Sequence, residues 1–154
     1  MRFIKGLLGV MIFGLIFTAS CKKEEDPTNY DAEDKKAIQD YISANNLDAD
    51  STSSGLYYVT IKEGTGKSPS QYSDVMIRYR GELLNGSVFD ESNSGVRLNL
   101  SQVIQGWTEG VQQFKEGGHG WLLIPSSLGY GNQATGSIPA NSVLVFEIHL
   151  DEVF

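Results

Sequence analysis

The sequence has one cysteine in 154 residues, and it lacks the short motifs that mark most catalytic and metal centres. A single cysteine cannot form a disulfide within the chain. There is no glycine-rich phosphate loop followed by Lys and Ser or Thr, no pair of cysteines, no histidine-rich cluster and no G-x-S-x-G serine. The two histidines, His119 and His149, are 30 residues apart, and we expect both at the surface rather than as ligands or bases. The sequence therefore gives no support for hydrolysis or group transfer, and no metal or cofactor is expected.

Positive charge is also scarce. Lys and Arg number 12 against 19 Asp and Glu, which gives a net charge of −7. Removal of an N-terminal segment that contains Arg2 and Lys5 would change the net charge to −9. Proteins that bind nucleic acid need a positive surface to contact phosphates, so this balance argues against a nucleic-acid partner.

The N-terminal apolar run is too short to cross a membrane. Residues Met1–Ser20 combine a basic start with an apolar stretch, Gly6–Phe17, that falls short of the ~20 residues of a spanning helix. This pattern is typical of a cleaved secretory signal rather than of a retained anchor. Cys21 follows directly and resembles the acylated cysteine of a bacterial lipoprotein processing site, although Thr18 departs from the usual Leu. We therefore expect a lipid attached to Cys21 and a location in the cell envelope, anchored to the outer membrane on its periplasmic face or at the cell surface.

Two N-terminal segments precede the main domain. Residues 21–30 carry charges, Pro27 and no apolar periodicity, and they are predicted to be a flexible tether. Residues 31–54 are predicted to form a helix and a connector, with Asp31 as the helix cap. The helix has an apolar stripe formed by Ala37, Ile38, Tyr41 and Ile42. We expect this stripe to pack on the main domain, and a dimerisation arm is the alternative.

Residues 55–154 show the alternating pattern of β-strands, interrupted by one short helix. In "DVMIRYRGELL" apolar and polar residues alternate, which places Tyr79 on the buried face. "VRLNL" alternates in the same way, with Val96, Leu98 and Leu100 inward. The internal helix, of about three turns, is indicated by apolar residues at helical spacing, namely Val103, Trp107, Val111 and Phe114. We predict an α+β fold in which an antiparallel sheet of about five strands wraps one short helix, with an extra N-terminal helix.

Aromatic and branched side chains from separate segments share the predicted inward faces. The leading ones are Tyr79, Phe89, Val103, Ile104, Trp107, Tyr130, Ile138 and Phe146. Such a set is usually only a core. However, Trp107 is large for so small a core, and a long polar loop has Tyr130 and Ile138 at its ends. An apolar basin with a few polar groups at its rim is typical of a binding site.

Four segments together carry a family resemblance. "MIRYRGELLNGSVFDES", "LSQVIQGWTEGV", "IPSSLGYG" and "IPANSVLVFEIHL", in that order, resemble an FKBP-type peptidyl-prolyl cis–trans isomerase over about Gly55–Phe154. The resemblance implies the family fold, a curved antiparallel sheet around a short helix. It also implies isomerisation (rotamase activity) of X–Pro bonds in exported polypeptides, with macrolides as inhibitors. The run "CKKEED" resembles the charged lipoprotein leader of some Bacteroidetes.

The resemblance also implies roles for individual residues. Trp107 would be the floor of a proline pocket whose walls are Tyr79, Phe89, Val103, Ile104 and Phe146. The Ile104 N–H and the Tyr130 hydroxyl would each hold a substrate carbonyl, and Ile138 would close the pocket. Asp90 would pair with Tyr79; its alternative role is that of a turn residue after a strand. Asp90, Tyr130, Ile104 and Tyr79 are thus the expected catalytic set.

Two positions depart from the family pattern. Val96 stands where the family often has an aromatic wall residue, and Leu128 stands where a second loop tyrosine is common. We count both among the substrate-binding residues and expect a wider pocket with weaker macrolide binding. They leave room for a different function, a lipid-anchored binding or holdase module with little turnover. A third hypothesis is a surface interaction protein whose pocket residues are merely core.

Overall fold

The computed structural model describes residues 27–154. The predicted signal segment 1–20, the lipid attachment residue Cys21 and most of the predicted tether lie outside the described residues. Two helices and six strands follow one another in the order α1 (Pro27–Ala44), β1 (Asp50–Ser51), β2 (Tyr57–Lys62), β3 (Asp74–Leu83), β4 (Val88–Asn99), α2 (Gln105–Gly110), β5 (His119–Ile124) and β6 (Leu144–Val153). Short 3-10 turns occupy Leu100–Gln102, Val111–Gln113 and Ser126–Leu128. Within the described range, neither helix combines the length and the apolar character that a membrane crossing requires.

The helix α1 begins earlier than its sequence predicts. It starts at Pro27 instead of Asp31, so residues 27–30 belong to the helix and not to the tether. Proline suits a first helical turn because its φ is already helical and the N–H that it lacks would have no partner there.

The apolar stripe of α1 packs on the main domain, as predicted. Ile38 is fully buried against Val59, Leu123 and Val143, and Tyr41 joins this cluster from the same helix face. Val59 and Leu123 lie on the face of the sheet opposite α2, and Val143 directly precedes β6. The apolar stripe of α1 is therefore covered by the chain's own sheet.

The sheet is antiparallel throughout, with strand order β1-β2-β5-β6-β3-β4. About five strands were predicted and six are found; the additional strand is β1, which is only two residues long. In β2, Tyr57 and Val59 share one side of the strand, and that side faces α1. Leu56 and Tyr58 face the main core instead, and Ile61 is 52% exposed.

The short helix α2 lies against the sheet at unusually close range. Its Trp107, together with Val111 of the 3-10 turn that follows, packs with β5 and β6 residues in the main core. A Cβ atom on Gly106 would lie 2.4 Å from Cγ2 of Ile124, and one on Gly110 would lie 2.6 Å from a methyl carbon of Leu122. Helices this short are unstable alone, so packing against the sheet is what stabilises α2. The three predicted turns are realised as six α-helical residues followed by a 3-10 turn.

Candidate active site

A cavity of about 660 Å³ opens on the side of the sheet that holds α2. It lies between α2, the β3–β4 pair, β6 and the loop that follows β5. Its lining residues are Tyr79, Phe89, Asp90, Leu98, Gln102, Val103, Ile104, Trp107, Tyr130, Thr135, Gly136, Ser137, Ile138 and Phe146. Nine of the eleven residues predicted for the site are therefore brought together in one cavity.

Aromatic rings form the floor and one wall of the cavity. Trp107 is 5% exposed, and its ring contacts those of Tyr79 and Phe146 edge-on at centroid distances of 5.0 and 5.2 Å. Phe89 meets Phe146 at 5.4 Å in the same geometry. Edge-to-face contacts of this kind add about 0.5–1.5 kcal/mol each beyond the burial of apolar area. The four rings therefore form a rigid apolar surface.

A glycine in β3 makes this ring packing possible. A Cβ atom on Gly81 would lie 2.6 Å from ring carbons of both Phe89 and Phe146. Any side chain at this position would displace one of the two rings. Gly81 also stands opposite Asp90 in the β3–β4 register.

The indole of Trp107 carries a buried donor. Its Nε1–H has no hydrogen-bond partner among the described residues. Buried polar groups in native proteins are nearly always paired, so an unpaired one calls for an explanation. At the floor of an open cavity, such a donor is available to an acceptor on a bound guest.

Asp90 and Tyr79 form a direct pair at the wall. The Tyr79 hydroxyl donates to the Asp90 carboxylate at 2.6 Å. Burial, followed by this hydrogen bond and the negative charge of Asp90, raises the pKa of Tyr79 to about 12. Asp90 lies within β4, so the turn alternative for this residue is wrong. Tyr79 is thus held in its neutral form, with its ring fixed against the floor.

Two uncommitted donors stand at the cavity. The carbonyl of Ile104 accepts from the N–H groups of Trp107 and Thr108 at the start of α2. Its own N–H donates no hydrogen bond within the described part of the chain. The hydroxyl of Tyr130, a residue that is 37% exposed, is likewise without a partner among residues 27–154. Both groups can therefore donate to carbonyl oxygens of a guest.

Val96 and Leu128 were predicted to contact substrate, and neither lines the cavity. The inward orientation predicted for Val96 is wrong, because this residue is 37% exposed on the edge strand β4, and Leu98, two residues later, lines the cavity instead. Leu128 is 6% exposed because its 3-10 turn directs it into the main core. The alternation in "VRLNL" already places Leu98 inward, so the sequence contained a signal that could have identified Leu98 as a cavity residue.

Several polar residues that line the cavity were not predicted from the sequence. Gln102 lies in the 3-10 turn before α2, and residues 135–137 belong to the loop after Tyr130. The N–H groups of Thr135 and Ile138 each donate to the other's carbonyl, which closes a tight turn at the rim. No periodicity marks such loop residues, so the sequence alone did not select them.

Residues 66–151 match the family model of the FKBP-type peptidyl-prolyl cis-trans isomerases. The chain belongs to this family. All four segments that carry the resemblance supply residues to the cavity, and the predicted α+β fold is confirmed. The helix α1 lies outside the matched residues of this FKBP-type chain.

Similar proteins support the assignment. The probable FKBP-type isomerase FkpA of Neisseria meningitidis is 48% identical over 106 residues, which are 66% of this chain and 39% of that protein. FkpA of Escherichia coli K12 is 34% identical over 139 residues, 88% of this chain and 51% of the relative. The FKBP-type chain thus spans about half the length, or less, of these curated relatives.

Solved structures show the same fold. A crystal structure of a peptidyl-prolyl cis-trans isomerase from Pseudomonas syringae superposes with a TM-score of 0.69 at 31% identity, covering 79% of this chain and 94% of that one. The crystal structure of Escherichia coli FkpA gives a TM-score of 0.71 at 32% identity, with coverages of 82% and 62%.

Proposed function

We propose that this FKBP-type chain catalyses cis–trans isomerisation of X–Pro bonds in exported polypeptides. The observation that supports this most strongly is the apolar cavity floored by Trp107, with the uncommitted donors of Ile104 and Tyr130 beside it. Such a cavity accepts a proline ring and binds the flanking carbonyls. The hypothesis that these residues are merely core does not account for an open cavity of about 660 Å³.

The reaction explains why the site needs no strong acid or base. Rotation about a peptide bond is opposed by a barrier of ~18–20 kcal/mol that arises from amide resonance. Both isomers of X–Pro are accessible, yet they exchange over tens of seconds or longer. Rotation breaks no covalent bond, so no nucleophile is consumed. The catalyst has only to bind the twisted amide better than the planar one.

The cavity offers two contributions to this difference. A planar amide has strong charge separation that water stabilises, and twisting removes part of it, so an apolar wall that excludes water favours the twisted form. The Ile104 N–H and the Tyr130 hydroxyl would hold the chain on either side of the rotating bond. A thousandfold acceleration requires about 4 kcal/mol of differential binding. Desolvation with two or three hydrogen bonds is sufficient for that amount.

The Asp90–Tyr79 pair would act on the wall. Because its pKa is raised to about 12, the Tyr79 hydroxyl stays neutral and keeps donating to Asp90 over the physiological pH range. The paired carboxylate adds a fixed negative charge beside the cavity. We assign to it an electrostatic role next to the twisting bond, not proton transfer.

A protease-coupled assay of Xaa-Pro isomerisation with the purified full-length chain tests the proposal. Trp107→Ala and Tyr130→Phe should both lower kcat/KM. The matched control for the second variant is Tyr72→Phe, because Tyr72 is 72% exposed and outside the cavity. No acceleration by folded protein would overturn the activity and leave a binding module. Full activity in both cavity variants would overturn the site.

Macrolides are proposed to occupy the same cavity. The expectation of weak binding depended on Val96 and Leu128, which do not line it. We therefore expect competition with an X–Pro peptide, lost in Trp107→Ala. Inhibition that persists in that folded variant would place the macrolide elsewhere.

We further propose that Cys21 is acylated and holds the domain at the cell envelope. The support comes from the sequence: the signal pattern of Met1–Ser20, the position of Cys21 and the net charge of −9 that remains after cleavage. An acyl chain adds about 0.8 kcal/mol of membrane binding for each buried methylene group. Labelling of cells with a fatty acid should mark the wild-type chain and not Cys21→Ser, and equal labelling would exclude Cys21.

A further inference from the structure

Three potential metal ligands meet on the sheet face opposite the cavity. His119 of β5 stands directly opposite His149 of β6, and the two imidazole rings stack at 4.4 Å with planes 5° apart. Glu147 precedes His149 by two residues on β6, so both point to the same face. One ligand atom of each residue lies within 4.8 Å of the others. From the sequence, these histidines are predicted to be separate surface residues. The register of β5 with β6 places them side by side.

Among residues 27–154 the ligand atoms of this cluster make no hydrogen bond, and the one ion pair there joins two of its own members, Glu147 and His149. In that pair, Oε1 of Glu147 lies 3.7 Å from Nε2 of His149. All three residues are half-buried, so an ion can reach them from solvent while their side chains remain partly ordered. Imidazole nitrogens and a carboxylate oxygen this close together can bind one metal ion jointly.

The neighbouring cations are mostly neutralised by other carboxylates. Arg78 stands opposite His149 in the β3–β6 register, but its guanidinium donates two hydrogen bonds of 2.7 Å to Asp151. Arg80, opposite Glu147, lies 3.5 Å from Glu82.

Within the part of the chain that the structure describes, Lys62 stands opposite His119 and is the remaining cation beside the cluster. Among the described residues, the one ion-pair partner of Glu147 is His149, and neither Lys nor Arg pairs with this carboxylate.

We propose that His119, Glu147 and His149 bind a divalent transition metal, with Zn²⁺ as the best match. Zinc takes imidazole nitrogen and carboxylate oxygen at about 2.0–2.2 Å, and three protein ligands leave one position for water. Tetrahedral bonds of that length place ligand atoms roughly 3.3 Å apart. The donors must therefore close in by about 1.5 Å, which rotation of half-exposed side chains achieves without moving the strands.

The site is separate from the prolyl cavity. Side chains alternate along β6, so Phe146 faces the cavity while Glu147 faces the opposite side. A bound ion would link β5 to β6 behind the cavity floor. Since it would bind the folded chain and not the unfolded one, it should also stabilise the fold.

A zinc titration tests the proposal. The full-length chain carrying Cys21→Ser, so that no thiol competes, is stripped with a chelator and titrated with Zn²⁺ against a chromophoric zinc indicator. We expect one zinc per chain. His119→Ala and His149→Ala should each weaken binding by at least about tenfold, and Glu147→Gln should weaken it less. Glu152→Gln, an exposed acid on the same strand, is the matched control and should bind like the parent.

Two independent readouts accompany the titration. Zinc should shift the NMR signals of both imidazole rings and raise the Tm of the parent, and it should leave the Tm of His149→Ala unchanged. Circular dichroism shows whether each variant is folded. Absence of saturable binding would overturn the proposal, as would binding that survives loss of either histidine in a folded variant.

Discussion

Replacement of Asp34 by alanine should destabilise the chain and disturb the loop that carries Tyr130. Asp34 is a helix α1 residue, yet it is 5% exposed, and its Oδ2 accepts from both the N–H and the hydroxyl of Ser126 at 2.7 and 2.6 Å. The carbonyl of Ser126 in turn accepts from the N–H groups of Gly129 and Gly131, on either side of Tyr130. The carboxylate is therefore the far end of a chain of hydrogen bonds that reaches the cavity.

The magnitude follows from what the substitution leaves behind. Asp34→Ala would strand two buried donors of Ser126, which is itself 3% exposed. Hydrogen bonds to a charged group contribute about 1.5–3 kcal/mol, and an orphaned buried donor adds a penalty of similar size. Allowing for relaxation, we expect the free energy of unfolding to fall by about 2–3 kcal/mol. Ser126→Ala removes only the hydroxyl and should cost about 1 kcal/mol.

Urea denaturation followed by circular dichroism measures this loss, with Asp31→Ala, an exposed acid on the same helix, as control. The effect on the loop is measured by a double-mutant cycle on kcat/KM. If Asp34 acts through Tyr130, Asp34→Ala should cost less in the Tyr130→Phe background than in the parent. A stability change no larger than that of Asp31→Ala would refute the structural argument, and strictly additive kinetic effects would refute the link to Tyr130.

Three further predictions concern the core and the cavity wall. Gly106→Ala should lower the free energy of unfolding by about 1–3 kcal/mol in chemical denaturation, because its Cβ would meet Ile124 at 2.4 Å; an unchanged midpoint would show that α2 can shift freely. Gly81→Ala should affect activity, measured as kcat/KM, more strongly than it affects the free energy of unfolding, because it displaces the phenylalanine rings of the cavity wall. The raised pKa of Tyr79 means that the folded chain keeps a proton that the unfolded chain loses, so stability should fall as pH rises from 10 to about 12. Asp90→Asn should reduce that fall and lower the phenolate titration midpoint, and a midpoint unaffected by this change would contradict the contribution assigned to Asp90.

Periodicity in the sequence located most of the residues that bury one face of an element, although it also placed Val96 inward, where the residue is 37% exposed. Alternation placed Tyr79 and Leu98 inward, and helical spacing placed Trp107 at the centre. The pairing of Asp34 with Ser126 could not be predicted in this way, because the two residues are 92 positions apart and neither belongs to a repeating pattern. The meeting of His119 with His149 depends on strand register, which is fixed by the whole sheet rather than by either local segment.

The strand order has a consequence for how the chain reaches its native state. β6 is last in chain order, yet it lies between β5 and β3 and pairs with both. Before β6 is available, β1-β2-β5 and β3-β4 are two separate pieces with no shared edge. Sheet closure therefore waits for Leu144–Val153, and the distant pairing makes folding slow compared with a helical protein of similar size. A chain of this topology therefore keeps its sheet open until β6 has been synthesised.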